Sequence, residues 1–338
     1  MTIQLDLDLS RDPLRVLEST RPIVQSSPLV QIDTQQIERV ATLLGEMPVP
    51  KPDWDRLLHP VSPDSARLAN LVLVVDALNF CFWSFPNSEK PRWQVTWNGT
   101  TYNGYAALAV ALRRAVEAGY PLWDGDFLGT ITEADVSEIL AGDPDCDQIP
   151  LLRARMTHLR EVGVALVERW EGTFLHAIRA ANGSSSRLIA EVLRALPSFR
   201  DTVLVDRREV RFYKRAQILV ADLFGAFGGK GLGAFTDLHT LTAFADYKVP
   251  QVLRHLGVLT YAPELAAQID RQELIPPESD AELALRAATV WGVELLRQEI
   301  ARRGRDRPAY AIDWALWQAG QALPESVEPY HRTLTVYY

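Results

Sequence analysis

FYKRAQILVADLFGAFGGKGLGAFTDLHTLTAFADYKVPQVLRHLG, residues 212–257, is the stretch that decides how the chain is read. Ile218, Leu219, Leu223 and Phe227 recur at helical spacing and predict a helix. Gly228, Gly229, Gly231 and Gly233 then break it, because glycine accepts positive φ and lets backbone approach a ligand closely. Thr236 or Asp237 is placed to cap a second helix that carries Leu238, Leu241, Thr242 and Phe244 inward and ends near Asp246. Pro250 suits the first turn of a third helix, which stops at Gly257.

Two readings of this stretch stand side by side. Backbone N–H groups of a glycine hairpin running into a helix N-terminus form an anion site suited to phosphate. A carboxylate after the second helix then lies near the sugar carbon joined to that phosphate. Such a carboxylate can stabilise an oxocarbenium-like state and orient or deprotonate water, which is what cleavage of an N-glycosidic bond requires. The plainer reading is an ordinary turn between core helices, with Asp237 and Asp246 as caps.

The surrounding chain limits the choice. Its 338 residues are 47% hydrophobic and 23% charged, as in a globular protein of one large or two ordinary domains. A net charge of −8 argues against a dedicated binder of DNA or RNA backbone, though not against a small anion in a local basic pocket. Cys81 and Cys146 offer neither metal spacing nor a disulfide framework, so no metal is expected and a reduced, cytoplasmic setting is the default. The acidic start MTIQLDLDLSRDP has no signal-peptide core, and no apolar run is long enough for a membrane span. No internal repeat or low-complexity tract is visible.

Residues 1–60 are punctuated by Pro13, Pro22, Pro28, Pro48, Pro50, Pro52 and Pro60. They are read as a wrapping segment with one helix, Asp33 to Leu44, ahead of a body at 61–338. Pro63 to Ser84 is apolar nearly all round and reads as a buried helix ending in NFCFW, where Asn79 is either a satisfied core amide or a contact to a base or sugar. WQVTWNGTTY (93–102) is a hairpin signal, followed by an amphipathic helix over 103–118. Further helices are expected at 125–141 with Thr132 as N-cap, at 150–170, 184–196, 263–269 and 280–302, and a short β pair at 203–212. Trp291 reads as core. Asp313, Trp314 and Trp317 open a last helix with inward indoles, and a packed strand is expected over 333–338, fixing His331 and Arg332.

Taken together, NFCFW (79–83), WNGTTYNGYAAL (97–108), FYKRAQILVADL (212–223), GKGLGAFTDLHTLTAFADYKVPQVLRHLG (229–257), RAATVWGVELL (286–296), IDWALW (312–317) and PYHRTLTVYY (329–338) resemble the queuosine salvage proteins, the queuosine 5′-phosphate N-glycosylase/hydrolase family. The resemblance runs from about residue 60 to the last residue. It implies a mainly α fold, with a body similar to helix-hairpin-helix DNA glycosylases and a few short β-strands. It implies hydrolysis of queuosine 5′-monophosphate to queuine and ribose 5-phosphate, with queuine then available for tRNA modification. In the broader glycosylase class a catalytic Asp follows the hairpin in a V-D-T-H-V type pattern. ADYKV offers Asp246 at the matching place, with Tyr247-Lys248 where that class has Thr-His; Asp237 is the rival.

The expected site follows. Lys214, Gly231, Gly233, His331 and Arg332 are assigned to the 5′-phosphate. Asn79, Phe80, Asp313 and Trp314 are assigned to the base, with capping of the last helix as the alternative for Asp313. Water is the nucleophile, so no cofactor is expected. A deazapurine lacks N7 as a protonation site, so stabilising the oxocarbenium and gripping the exocyclic groups matter more. The partner is a small molecule, without membrane or stable nucleic-acid complex. Two other classes compete: a non-catalytic helix-hairpin-helix protein that only binds nucleotide or nucleic acid, and a DNA glycosylase acting on a flipped base, which the net charge disfavours.

Overall fold

The computed structural model describes residues 5–48, 54–85, 88–324 and 326–338. Pro50 and Pro52 lie outside the described residues. In chain order the elements are α1 (Val16–Ser26), β1 (Val30–Ile32), α2 (Thr34–Glu46), α3 (Ser65–Ala77), β2 (Gln94–Trp97), β3 (Thr100–Asn103), α4 (Gly104–Glu117), α5 (Gly125–Thr130), α6 (Glu133–Ile139) and α7 (Leu152–Trp170). Then come α8 (Leu175–Ala181), α9 (Ser185–Ala195), β4 (Thr202–Val205), β5 (Arg208–Arg211), α10 (Lys214–Ala226), α11 (Lys248–His255), β6 (Leu259–Tyr261), α12 (Pro263–Asp270), α13 (Asp280–Arg302) and α14 (Ala309–Gln321). The body is mainly helical, as the sequence implied. The strands form small antiparallel pairs, β1 with β6, β2 with β3 and β4 with β5.

Side-chain patterning builds two main cores. Leu71, Val72, Val75, Leu108, Leu112, Leu159, Leu166, Leu219 and Leu223 join α3, α4, α7 and α10 in the first. Val40, Val252, Leu253, Leu285, Leu296 and Leu316 join α2, α11, α13 and α14 in the second. Helix α3 is buried on every side, so it reads as apolar all round rather than as one stripe. Thr132 and Asp135 close the expected capping box on α6. Trp291 is fully buried, its Nε1–H donating to Thr20 Oγ1 at 3.1 Å.

Three expectations are corrected. Residues 1–60 hold a second helix, α1, which packs on α13. Pro22 lies inside it and masks the pattern, while Asp12 caps its start by accepting from Val16 N and Glu18 N at 2.8 Å.

The second arm of the hairpin is not an α-helix: after a short 3-10 turn at Leu238–Thr240 the chain has no regular secondary structure until α11 opens at Lys248. Its amides are taken by side chains instead of by a helical ladder. Gln217 Oε1 accepts from Thr242 N and Asp313 Oδ1 accepts from Phe244 N, both at 2.9 Å.

The segment 333–338 is packed but is not a strand, because no partner strand runs beside it among the described residues. It is anchored at its end, where Cys81 N donates to Tyr338 O, and just before its start, where Ile275 N donates to Arg332 O, each at 2.8 Å.

Candidate active site

Helix α10 sets the axis of the site. Lys214, Ile218 and Asp222 are four residues apart, so they share one face, and all three line a cleft of about 740 Å³ between the two cores. The loop after α3 contributes Asn79 and Phe82, and the start of α4 contributes Tyr105. The opposite wall is Phe244, Asp246 and Tyr247 with Lys248 and Gln251 of α11, and Asp313, Trp314 and Trp317 of α14.

The centre is polar and its side chains are buried. Lys214 is 5% exposed, and its Nζ donates to Asn79 O at 3.2 Å. Burial lowers the Lys214 ammonium from its ordinary value, while Asp246 pulls the other way. Asp246 accepts from Lys248 N and Val249 N, both at 2.9 Å, so it caps α11 while facing the cleft. Burial raises the Asp246 carboxyl, against the charge of Lys214 and those two amides. Asp313 is 3% exposed and is raised well above the ordinary carboxylate range by burial and then by Asp246. It sits one turn into α14, whose N-cap is Pro308, so capping of that helix is not its role.

The two ends of the cleft differ in chemistry. Trp314 and Trp317 lie with ring centroids 5.9 Å apart, and Tyr105 meets Trp317 edge-on at 6.2 Å. That end offers flat apolar faces. Elsewhere the lining carries Arg92, Lys248 and Arg332, beside Ser84, Gln272 and Tyr330. Arg332 Nη1 donates to Ser84 O at 3.1 Å, and Lys248 Nζ donates to Gln251 Oε1 at 3.0 Å.

Of the residues expected at the site, Asn79, Lys214, Asp246, Asp313, Trp314 and Arg332 are brought together in this cleft. Phe80 is not: it is fully buried beneath the site, with the guanidinium carbons of Arg155 and Arg215 over its ring at 4.3 and 5.3 Å. His331 is also buried outside the lining. Burial and the charge of Arg286 lower its pKa to about 3, so it is a neutral imidazole at physiological pH and not a phosphate-gripping cation.

Gly231, Gly233 and Asp237 also lie outside the cleft lining. The glycine turn follows the C-terminus of α10, whereas Lys214 opens that helix. Its 13 residues separate them by about 20 Å. The turn is also no open anion cradle. The N–H groups of Gly228, Gly229 and Gly233 donate to Gly225 O, Phe224 O and Lys230 O at 3.0, 2.7 and 3.0 Å. Asp237 accepts from Ser184 Oγ at 2.8 Å and Ser185 N at 2.5 Å, at the start of α9. Burial pushes its carboxyl up, but these serine hydrogen bonds outweigh that and hold it at about 2.

Asp222, Tyr105, Trp317 and Lys248 were not foreseen. Asp222 could have been found by counting two turns along α10 from Lys214, and Trp317 by counting one turn along α14 from Asp313.

A helical body whose two cores enclose an aromatic-walled cleft carrying both carboxyls and cations has the form of a site for a small molecule with a flat part and polar ends. The chain belongs to the queuosine salvage protein family: the model of that family, "Queuosine salvage protein", matches residues 58–338. Among known relatives, the queuosine 5′-phosphate N-glycosylase/hydrolase of Sphaerobacter thermophilus is 50% identical over 327 residues, covering 97% of this chain and 98% of that protein. The mouse protein of the same name is 34% identical, covering 96% and 99%. That of Schizosaccharomyces pombe is 32% identical, covering 90% of each. Among the described residues no helix is long and apolar enough to cross a membrane.

Proposed function

We propose that this chain is a hydrolase that cleaves the N-glycosidic bond of queuosine 5′-phosphate, releasing queuine and ribose 5-phosphate and so supplying queuine for tRNA modification. The observation that carries this reading is a buried carboxyl, Asp246, in the wall of the cleft and within the field of the buried Lys214 ammonium, in a chain of this family.

In the proposed reaction water adds across the C1′–N bond. The bond to the base breaks with its electron pair going to the base, and positive charge grows on the ribose. Ionised Asp246 stabilises that charge and takes a proton from the attacking water, whose oxygen joins C1′. The departing base takes up one proton, so the net change is the consumption of one water. Lys214 serves Asp246 rather than the phosphate: its charge favours the ionised carboxylate that burial would otherwise neutralise. Trp314 and Trp317 offer faces for the flat base, and Arg332, Lys248 and Arg92 suit the 5′-phosphate. Helices α1 and α2 brace α13 and lie outside the cleft lining.

A mononucleotide suits a cleft of this size and a chain of net charge −8 better than a nucleic-acid duplex does. Incubation with queuosine 5′-phosphate and chromatography of free queuine is the test. Tight binding of the nucleotide with no release of queuine would replace this reading by a non-catalytic nucleotide-binding protein.

A further inference from the structure

Among the buried charged groups that line the cleft, the carboxyls of Asp222, Asp246 and Asp313 stand against one cation, Lys214, and Asp76 lies outside the lining, against Asp222. Asp76, Asp222, Asp246 and Asp313 are all buried and all lie within the field of one buried ammonium, Lys214. Asp246 and Asp313 are supported by backbone N–H groups. The other two carboxyls are not. Asp222 Oδ2 accepts a long hydrogen bond from Tyr105 Oη, at 3.3 Å, and the Asp222 carboxyl is otherwise within hydrogen-bond reach of the Asp76 carboxyl alone. Asp76 Oδ1 is 3.5 Å from Asn79 Nδ2, at the limit of a hydrogen bond. Asp76 Oδ2 is buried and no N–H or O–H donor among the described residues reaches it, so a proton shared with Asp222 is what satisfies it.

Each element around the pair adds charge or polarity. Asp76 comes from α3, and Asp222, Lys214 and Arg215 from α10. Tyr105 comes from α4, its hydroxyl also 2.9 Å from His59 Nε2. Arg215 acts on Asp76, but its guanidinium is committed to Ala77 O and Ser198 O. Burial raises both carboxyls, and their like charges oppose joint ionisation, so the ligand-free pair holds a proton. A cation brought in by a ligand could replace that proton. No three His, Cys, Asp or Glu side chains among the described residues come together as metal ligands would.

Position says which part of a ligand arrives there. Lys214 and Asp222 are two turns apart on one face of α10, about 12 Å along its axis, with Ile218 between them. Tyr105 links the Asp222 end to the aromatic wall through Trp317. A nucleotide with its scissile bond at Asp246 and its base on that wall therefore sends a substituent of the base toward Asp222.

We propose that the Asp76–Asp222 pair is the receptor for a protonated amine carried on a side arm of the base, and thereby selects the substrate. This rests on the function proposed above. Queuine carries such an arm, joined to its deazaguanine ring through a secondary amine, and an unmodified deazaguanine does not.

Two measurements test it. In the first, kcat/KM is compared for queuosine 5′-phosphate and 7-deazaguanosine 5′-phosphate, in wild type and in Asp222→Asn. Removing a charge-assisted hydrogen bond to the amine lowers the preference for the armed substrate by about tenfold to a hundredfold, and Asp222→Glu restores part of it. An unchanged ratio overturns the proposal, as does an equal fall for both substrates. The second measurement uses wild type alone, so it survives a variant that does not fold. Calorimetry of queuine and of 7-deazaguanine, in buffers of different ionisation enthalpy, counts protons released on binding. Queuine is expected to displace a proton and 7-deazaguanine none; equal counts refute the assignment. Queuine that binds with proton release, in an enzyme that never liberates it from the nucleotide, would sink the hydrolase reading and leave the receptor standing.

Discussion

Replacing Asp246 with Asn removes one negative charge from the centre of the cleft and little else. Asn is about as good a helix cap as Asp. The hydrogen bonds from Lys248 N and Val249 N at 2.9 Å can therefore persist, and α11 should stay anchored. Asp246→Ala gives up the cap as well, at a further cost of about 1 kcal/mol. The electrostatic role has a separate size. A positioned acid–base group typically contributes about a hundredfold or more in rate, which corresponds to about 2.7 kcal/mol of transition-state stabilisation at 1.36 kcal/mol per tenfold. Turnover should therefore fall at least about a hundredfold in both variants, while only Ala shows a clear loss of melting temperature. Queuine release under saturating substrate gives kcat, calorimetry gives substrate affinity, and thermal melts give stability. Near wild-type turnover in the Asn variant with substrate still bound would refute the assignment of Asp246, and a parallel collapse of melting and turnover in both variants would show that the carboxylate is a cap and nothing more.

Lys214 opposes the burial that raises Asp246, so Lys214→Met should raise that carboxyl further and move the acid limb of kcat/KM to higher pH; a limb that stays in place would separate the two residues. If Arg332 meets the 5′-phosphate, Arg332→Gln should shrink the preference for queuosine 5′-phosphate over queuosine by about tenfold or more, and an unchanged preference places the phosphate elsewhere. Gly233→Ala puts a Cβ 2.8 Å from Leu223 O and from Phe227 Cβ, and Asp237→Ala removes a cap of α9, so each should cost roughly 1–3 kcal/mol of stability with kcat of the folded enzyme kept. A fall in kcat without a fall in melting temperature would return the glycine turn to the reaction. His331 has its pKa lowered to about 3, below the ordinary 6.5, so its contribution to stability is present above 6.5 and is lost as pH falls through that window. A folded His331→Gln variant should lose less melting temperature than wild type between about pH 7 and about pH 5; equal losses would mean that His331 charges freely in the folded state.

Helices that bury one stripe, such as α2 and α9, were legible because their periodicity is local, and so was the capping box of α6. The second arm of the hairpin was not legible, because what prevents a helix there is non-local. Gln217 and Asp313 take up amides of Thr242 and Phe244 from 25 and 69 residues away, and no pattern within residues 236–247 announces them. The same holds for the site. Asp246 and Lys214 could be named from their motifs, but the glycines between them suggested one phosphate cradle. A straight α10 instead carries Lys214 into the cleft and leaves the glycines at its far end. The carboxyl pair was hidden for the opposite reason. Asp76 stands in the run VLVVDAL, where the hydrophobic pattern marks the helix as buried and gives the one charge no partner. A carboxylate in such a run must meet a proton, a cation or another polar group in the fold. In this fold it meets Asp222, itself one of the carboxyls facing the cleft. The residue that periodicity discards as an exception is therefore among the first to examine for function.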